Sequence, residues 1–411
     1  MNEMRQTVGA ERMSLSDATR ILLVATRTIG MNPISWRRKV HLIIFFAAQT
    51  FIFYESVEAH YSVIEVENFW FRVTVHAFKD GARAVAGFLV IVTTFLNPTR
   101  YVLPLKDFTV IDETLENFGV RVNNESTFRW QLLQIIFFVA TPFLLSVWNF
   151  YIYNEPTRNK YFSMMMTGHI FTITSLFSYG MVDCSFCTIL SIIKERLRVI
   201  NSIIHRAENL WPREDVRVAG ISSFSKIADD IVFRGLKILR EQYHELWVIA
   251  MRVNEAYGLH LLVAATSAFA ITTVLLWEGY EETNSGYSDN WILGVKIKWA
   301  VFVTSRIFLL AQACESVVHE AKTTCVVLQD LMMNGNWQST TKSEARESNI
   351  RDFLMQHQLE VQDFTACNFF KINRTMVSGI LSAVSSYLVI LIQMGEGHNS
   401  YKADRNSSQV K

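Results

Sequence analysis

The sequence predicts an all-α membrane protein with seven transmembrane helices, and three observations predict it. Half of the 411 residues are hydrophobic and only 19% are charged, a balance unusual for a soluble chain of this size. Apolar runs close to the roughly 20 residues that a spanning helix needs recur seven times. The basic residues between those runs are shared unequally between two alternating sets of loops, the asymmetry that orients membrane proteins. The 29 Phe sit largely in the long apolar runs. Six prolines leave long helices almost unopposed. A formal net charge of +1 argues against a nucleic-acid binder, which normally shows a basic face.

The spans fall at 40–60, 71–96, 130–153, 161–193, 256–277, 292–314 and 373–394. The first is weakened at its end by Glu55 and Glu58, the second is interrupted by Lys79, Asp80 and Arg83, and the sixth carries Lys296, Lys298 and Arg306. Bases are dense before the first span (Arg37, Arg38, Lys39), after the second (Arg100, Lys106), after the fourth (Lys194 to Arg252) and after the sixth (Lys322, Arg346, Lys371). The opposite loops are poor in them, and 278–291 carries Glu278, Glu281, Glu282 and Asp289 instead. The N-terminus is therefore expected in the cytosol and the C-terminus outside. Met1 to Thr28 is mixed polar sequence, with no apolar core and cleavage site of a signal peptide. Asn406-Ser407-Ser408 is a glycosylation sequon that would face outward.

Between the fourth and fifth spans, 194–255 sets apolar residues at helical spacing among charges, with a break expected at Trp211-Pro212. Residues 343–364 repeat the pattern. The expected organisation is a cytosolic segment at 1–39, six spans over 40–314 with the cytosolic insertion 194–255, cytosolic anchor helices at 315–372, a seventh helix at 373–394 and an outer tail at 395–411. Amphipathic helices projecting below a bilayer need a partner, which is either each other or a second subunit.

No zincin helix, phosphate loop, nucleophile elbow or acidic metal cluster is present, which argues against an enzyme. No cofactor or metal is implied: Cys184 and Cys187 form a lone C-x-x-C inside an apolar helix. Free thiols are expected for all five cysteines. Ionisable residues inside spans are costly and mark structure or function. Asp80 and Arg83 share a helix face and can neutralise each other. Asp183 and Arg306 are a second pair that could meet across the bundle.

Polar and aromatic residues gather in the outer halves of the spans: His76, Trp148, Asn149, Tyr151, His169, Thr172, Thr273, Trp277, Glu278 and Trp299. They suit a small-molecule pocket, with Asp80 on its wall. For any single Trp or Tyr an interfacial aromatic belt is the better reading, and the ligand site is an expectation for the cluster as a whole. In the last span, Ser382, Ser386 and Gln393 share a stripe with Val389 or Ile390. Hydroxyls and an amide with aliphatic steps are what a narrow, gated water path requires, and small residues also permit close helix packing.

Asn368-Phe369-Phe370-Lys371-Ile372-Asn373-Arg374, followed by Ser386-Tyr387, five aliphatic residues and Gln393-Met394, resembles the C-terminal signature of insect gustatory receptors, relatives of the insect odorant receptors. That family typically reads Thr-Tyr, five aliphatics, Gln-Phe, so this chain departs at Ser386 and Met394. The resemblance implies a ligand-gated, non-selective cation channel in the plasma membrane of sensory neurons. Four like or related subunits place their last helices around one pore, and each carries a pocket for a small tastant. Its partners would be that tastant, permeant cations, membrane lipids and related subunits. Tyr387 then belongs to the gating helix, with Ser382, Ser386 and Ile390 along the pore and Gln393 and Met394 at its narrowest part. The competing reading is a seven-helix chemoreceptor that signals through a cytosolic transducer; a cytosolic N-terminus argues against the usual form of it. A transporter would show paired half-helices or repeats, and neither is present.

Overall fold

The computed structural model describes residues 14–28, 36–61, 69–96, 104–120, 122–153, 162–210, 222–284, 290–334 and 341–409. The chain runs α1 (Leu15–Ala18), α2 (Arg20–Thr28), α3 (Trp36–Tyr61), α4 (Phe69–Leu96), α5 (Leu105–Glu116), α6 (Asn124–Ile135), a π-helical turn (Ile136–Ala140), α7 (Thr141–Tyr153), α8 (Phe162–Leu210), α9 (Ser222–Asn284), α10 (Asn290–Asn334), α11 (Thr341–Glu360), β1 (Thr365–Ala366), β2 (Phe370–Lys371) and α12 (Arg374–Gln409). Over the described residues every expected span falls in these helices, the third in the α6–α7 pair and the last from Arg374 onward. Five are long and apolar enough over their described residues to cross a bilayer, and Gly81–Leu96 is a shorter apolar helix.

Two expected boundaries move. The last helix does not end at Met394 but continues to Gln409, so Asn406 of the sequon lies in its final turns. The cytosolic helix expected over 343–364 is α11 and ends at Glu360; Phe364 instead leads into the two-residue strands of a hairpin. The expected break at Trp211-Pro212 lies outside the described residues, between the end of α8 and the start of α9. The projecting helices follow from length alone. At 1.5 Å per residue, a helix of 49 residues (α8) or 63 (α9) is roughly two and a half to three times as long as the hydrocarbon core is thick.

The helix α8 stands at the centre and packs against α3, α4, α6, α7, α9 and α10. Its apolar window is 89% buried, as expected of a helix enclosed on all faces. The α6–α7 crossing shows how close that enclosure is. Pro142 lacks an N–H, so it cannot pair with the carbonyl four residues back, and the helix relaxes into a π turn just before it. That carbonyl, of Phe138, lies where a Cβ on Gly180 of α8 would stand, only 2.5 Å away. Glycine alone admits this approach.

Charges inside the bundle are paired. Asp183 of α8 is fully buried and accepts from His260 Nε2 of α9 at 2.7 Å and from Arg306 Nε of α10. The Arg306 guanidinium also lies 4.4 Å over the Tyr179 ring. One carboxylate thus joins three helices. The expected Asp183–Arg306 pairing is present, with His260 as a third member. Further along α8, buried Arg196 donates to both carboxylate oxygens of Asp112 of α5, from Nε at 3.0 Å and from Nη2 at 2.7 Å. The Asp80 side chain, and with it the expected pairing with Arg83, lies outside the described residues.

Candidate functional site

The helix α12 is the element whose surroundings differ most from the rest. Only 11% of its apolar window is buried. Val377 and Val384 are buried, and Ile380, Ala383, Leu388 and Leu391 are partly so. These residues recur every three or four positions and form one stripe, which rests on α9 and α10. Toward the C-terminal end of the stripe, Leu388 and Leu391 pack on Val274 and Trp277 of α9, and the Tyr387 ring meets Phe269 edge-on at 5.4 Å.

The other faces carry Ser378, Ser382, Ser385, Ser386, Val389, Ile390, Gln393 and Met394, all exposed. Three of the serines satisfy their hydroxyl hydrogens on their own helix: Ser386 donates to Ser382 O at 3.1 Å, Ser385 to Leu381 O at 3.0 Å and Ser378 to Thr375 O at 2.9 Å. Back-bonding of this kind lets a hydroxyl sit at membrane depth without an interhelical partner, and its oxygen keeps acceptor capacity. The structure thus separates the expected pore residues. Ser382, Ser386, Ile390, Gln393 and Met394 are exposed away from the docked stripe. Tyr387 is half-exposed at its edge, in contact with α9.

At its N-terminal end α12 is fastened by polar contacts. Asn373 caps it, its Oδ1 accepting from Met376 N at 2.9 Å. Arg374 Nε donates to Gln312 Oε1 of α10 at 2.9 Å and lies 3.2 Å from Glu315 Oε2.

The expected ligand residues fall into three groups. Thr273 and Trp277 are buried on α9, one helical turn apart on the face that meets α12. Trp148 of α7 lies toward α10. Lys298 Nζ sits 4.8 Å over the Trp148 ring, and Trp299 is buried against Phe302. The Asn149 Oδ1 is buried with no hydrogen-bond partner among the described residues. Thr172 is half-buried on α8, and Tyr151 is exposed at the end of α7. The side chains of His76, Asp80 and His169 lie outside the described residues, as does that of Asn406. Glu278, by contrast, is buried near Lys296, whose Nζ is 2.7 Å from Glu282 Oε2 and 3.9 Å from Glu278 Oε2. The place of His260 beside Asp183 and Arg306, and the hairpin before α12, escaped sequence reasoning. The intramembrane charges marked the first in part; nothing in so short a stretch marked the second.

A bundle of long apolar helices with one terminal helix left exposed defines a multi-pass membrane protein. The model of the 7tm chemosensory receptor family matches residues 19–396, and the chain belongs to that family, which is one of receptors and not of enzymes. It is similar to gustatory receptor 28b of Drosophila melanogaster, 22% identical over 86% of this chain and 76% of that protein. It also resembles the Drosophila gustatory receptor for sugar taste 43a, 25% identical over 38% of this chain and 35% of that one. In fold it matches the insect olfactory receptor OR5 from Machilis hrabei, with a TM-score of 0.64 at 12% identity over 92% of this chain and 98% of that one. The same receptor in complex with eugenol matches at 0.62.

Proposed function

We propose that this chain is a gustatory receptor that acts as a ligand-gated, non-selective cation channel. Four subunits, identical or related, surround one pore lined by α12, and binding of a small tastant depolarises the sensory neuron whose plasma membrane holds them. The observation that carries this reading is the exposure of α12: an apolar helix fastened along a single stripe, with serines and Gln393 on its free faces. A lone copy leaves those faces to lipid, whereas a ring of copies turns them onto a shared water path. Family membership and the fold of an insect olfactory receptor agree with it.

In this reading the N-terminus is cytosolic and the C-terminus, with Asn406 as its glycosylation site, is outside. Ser382, Ser386 and Ile390 line the pore, Gln393 and Met394 form its constriction, and Tyr387 holds the gating helix to α9. Trp148, Asn149, Thr172 and Trp299, with His76, Asp80 and His169, form the tastant pocket in the outer half. The unpaired Asn149 Oδ1 is its hydrogen-bond acceptor. Thr273 and Trp277 link that region to α12.

The test is current recording from cells expressing the chain, against sugars, bitter compounds and volatiles, together with its Gln393→Glu variant. The variant is expected to shift relative cation permeability and block; an unchanged selectivity and block profile contradicts the assignment of the constriction. Triple replacement of Trp148, Trp277 and Trp299 by Ala should remove responses to activating ligands.

A further inference from the structure

The helix α9 holds α12 at two places, and the two attachments differ in kind. The outer one is apolar: Val274 and Trp277 against Leu388 and Leu391, and Phe269 against Tyr387. Apolar contacts are non-directional, so they can slide and re-form. The inner one is directional and passes through the hairpin from Thr365 to Lys371, which leads into α12. Asn254 of α9 accepts from Thr365 N through Oδ1 at 2.9 Å, and its Nδ2 donates to Thr365 Oγ1 at 3.5 Å. One turn further along α9, Gly258 lies under the turn of the hairpin: a Cβ there would stand 3.1 Å from Cys367 N and 3.6 Å from Cys367 Sγ.

The hairpin is itself tightly specified. Cys367 and Asn368 adopt positive φ values of 49° and 62°, which non-glycine residues hold only where their surroundings fix them. Ile372 N donates to Phe364 O at 2.8 Å, Lys371 pairs with Asp363 at 2.7 Å, and Arg374 reaches Gln312 and Glu315 of α10.

We propose that this seat is the fixed hinge of the gate: Asn254 and Gly258 are positioning residues that pin the hairpin to α9 while the outer part of α12 slides against Phe269, Val274 and Trp277. The proposal rests on the reading of α12 as the pore helix. Neither residue touches the pore or the ligand pocket; they act by setting the point about which α12 turns.

Cysteine bridging tests it on the full chain. Cys367 is the exposed one of the five cysteines, so the single variant Gly258→Cys supplies the inner pair. Phe269→Cys with Tyr387→Cys, in a Cys367→Ser background, supplies the outer pair. A short bis-methanethiosulfonate reagent bridges either pair, and dithiothreitol releases it. With sodium as the permeant ion, bridging the inner pair is expected to leave the current within ~twofold, and bridging the outer pair to cut it ~tenfold until the reductant is added. Loss of current on inner bridging, or an unaffected current on outer bridging, overturns the hinge.

Where Gly258→Cys fails to reach the surface, Asn254→Leu keeps the size and removes both hydrogen bonds. It is expected to shift the voltage dependence or the ligand-free fraction of the sodium current ~fivefold without changing cation selectivity; no shift counts against the proposal. Where the unmodified chain carries no sodium current, the pore reading fails and bridging kinetics in membranes decide the hinge. A seated hairpin bridges faster and more completely than the outer pair, and equal or slower reaction overturns it.

Discussion

Two apolar spans of one chain, α8 and α12, meet opposite fates. The window of α8 is 89% buried and that of α12 is 11% buried. The buried helix carries the costly group: Asp183, fully enclosed, bonded to His260 and Arg306. The exposed one carries hydroxyls that bond to their own backbone, and an amide at its far end. Hydropathy finds both helices and does not tell them apart. The polar groups do, because a charge inside a membrane protein needs partners from other helices, whereas a serine needs only the carbonyl one turn back. The first chemistry builds a fixed bundle and the second leaves a helix free for another role.

The strongest way to break this contrast is at the ionic cluster. Asp183→Ala strands Arg306 in the bundle, and removal of one member of a buried pair costs about 3–5 kcal/mol. Thermal unfolding in detergent and surface expression should both fall sharply, whatever happens at the pore. Next comes the α6–α8 crossing. Gly180→Val places side-chain carbon against the Phe138 carbonyl, an overpacking worth about 1–3 kcal/mol, read as a lowered unfolding temperature.

A smaller effect is expected in α11. His357 of α11 is buried, its Nε2 donates to Ala321 O at 2.7 Å, and its Nδ1 has no partner among the described residues. Burial holds the ring below its ordinary pKa, against the opposing pull of Ala321 O and Glu360. Protonation would place a cation and an unpaired donor beside Tyr243. With the docked value lowered, docking is intact above the undocked pKa of about 6.5 and weakens as pH falls below it, by up to about 1.4 kcal/mol per unit. Hydrogen exchange in α11 should rise between neutral and acidic pH, and His357→Gln should flatten that dependence. The smallest effect on stability sharpens the comparison from the other side. Ser382→Ala and Ser386→Ala, on the free faces of α12, should change the stability of the subunit by less than about 0.5 kcal/mol while altering conductance.

The long helices were legible because a bilayer sets their length and apolar content, and the charge pattern of 194–255 announced that α8 and α9 outrun it. The Asp183–Arg306 pairing was legible because each charge is anomalous where it stands. His260 was not, since a single His in an apolar helix fits any packing role. The hairpin was illegible for a different reason. Strands of two residues have no period, and theirs come from Asn254, Gly258 and the positive φ at Cys367 and Asn368. Among the site residues, the serine stripe was readable from spacing. The placement of Trp277 against the last helix, apart from Trp148, was not, because sequence shows which face a residue shares and not which helix comes to meet it.

The central claim, that the free faces of α12 line a water path, is tested most directly by cysteine accessibility. Ser386→Cys and Val384→Cys sit two residues apart, the first on an exposed face and the second 2% exposed in the docked stripe. A charged methanethiosulfonate reagent applied to open channels should block current through the Ser386→Cys variant and leave Val384→Cys unaffected. Equal modification of both, or current through Ser386→Cys that the reagent does not touch, contradicts the account.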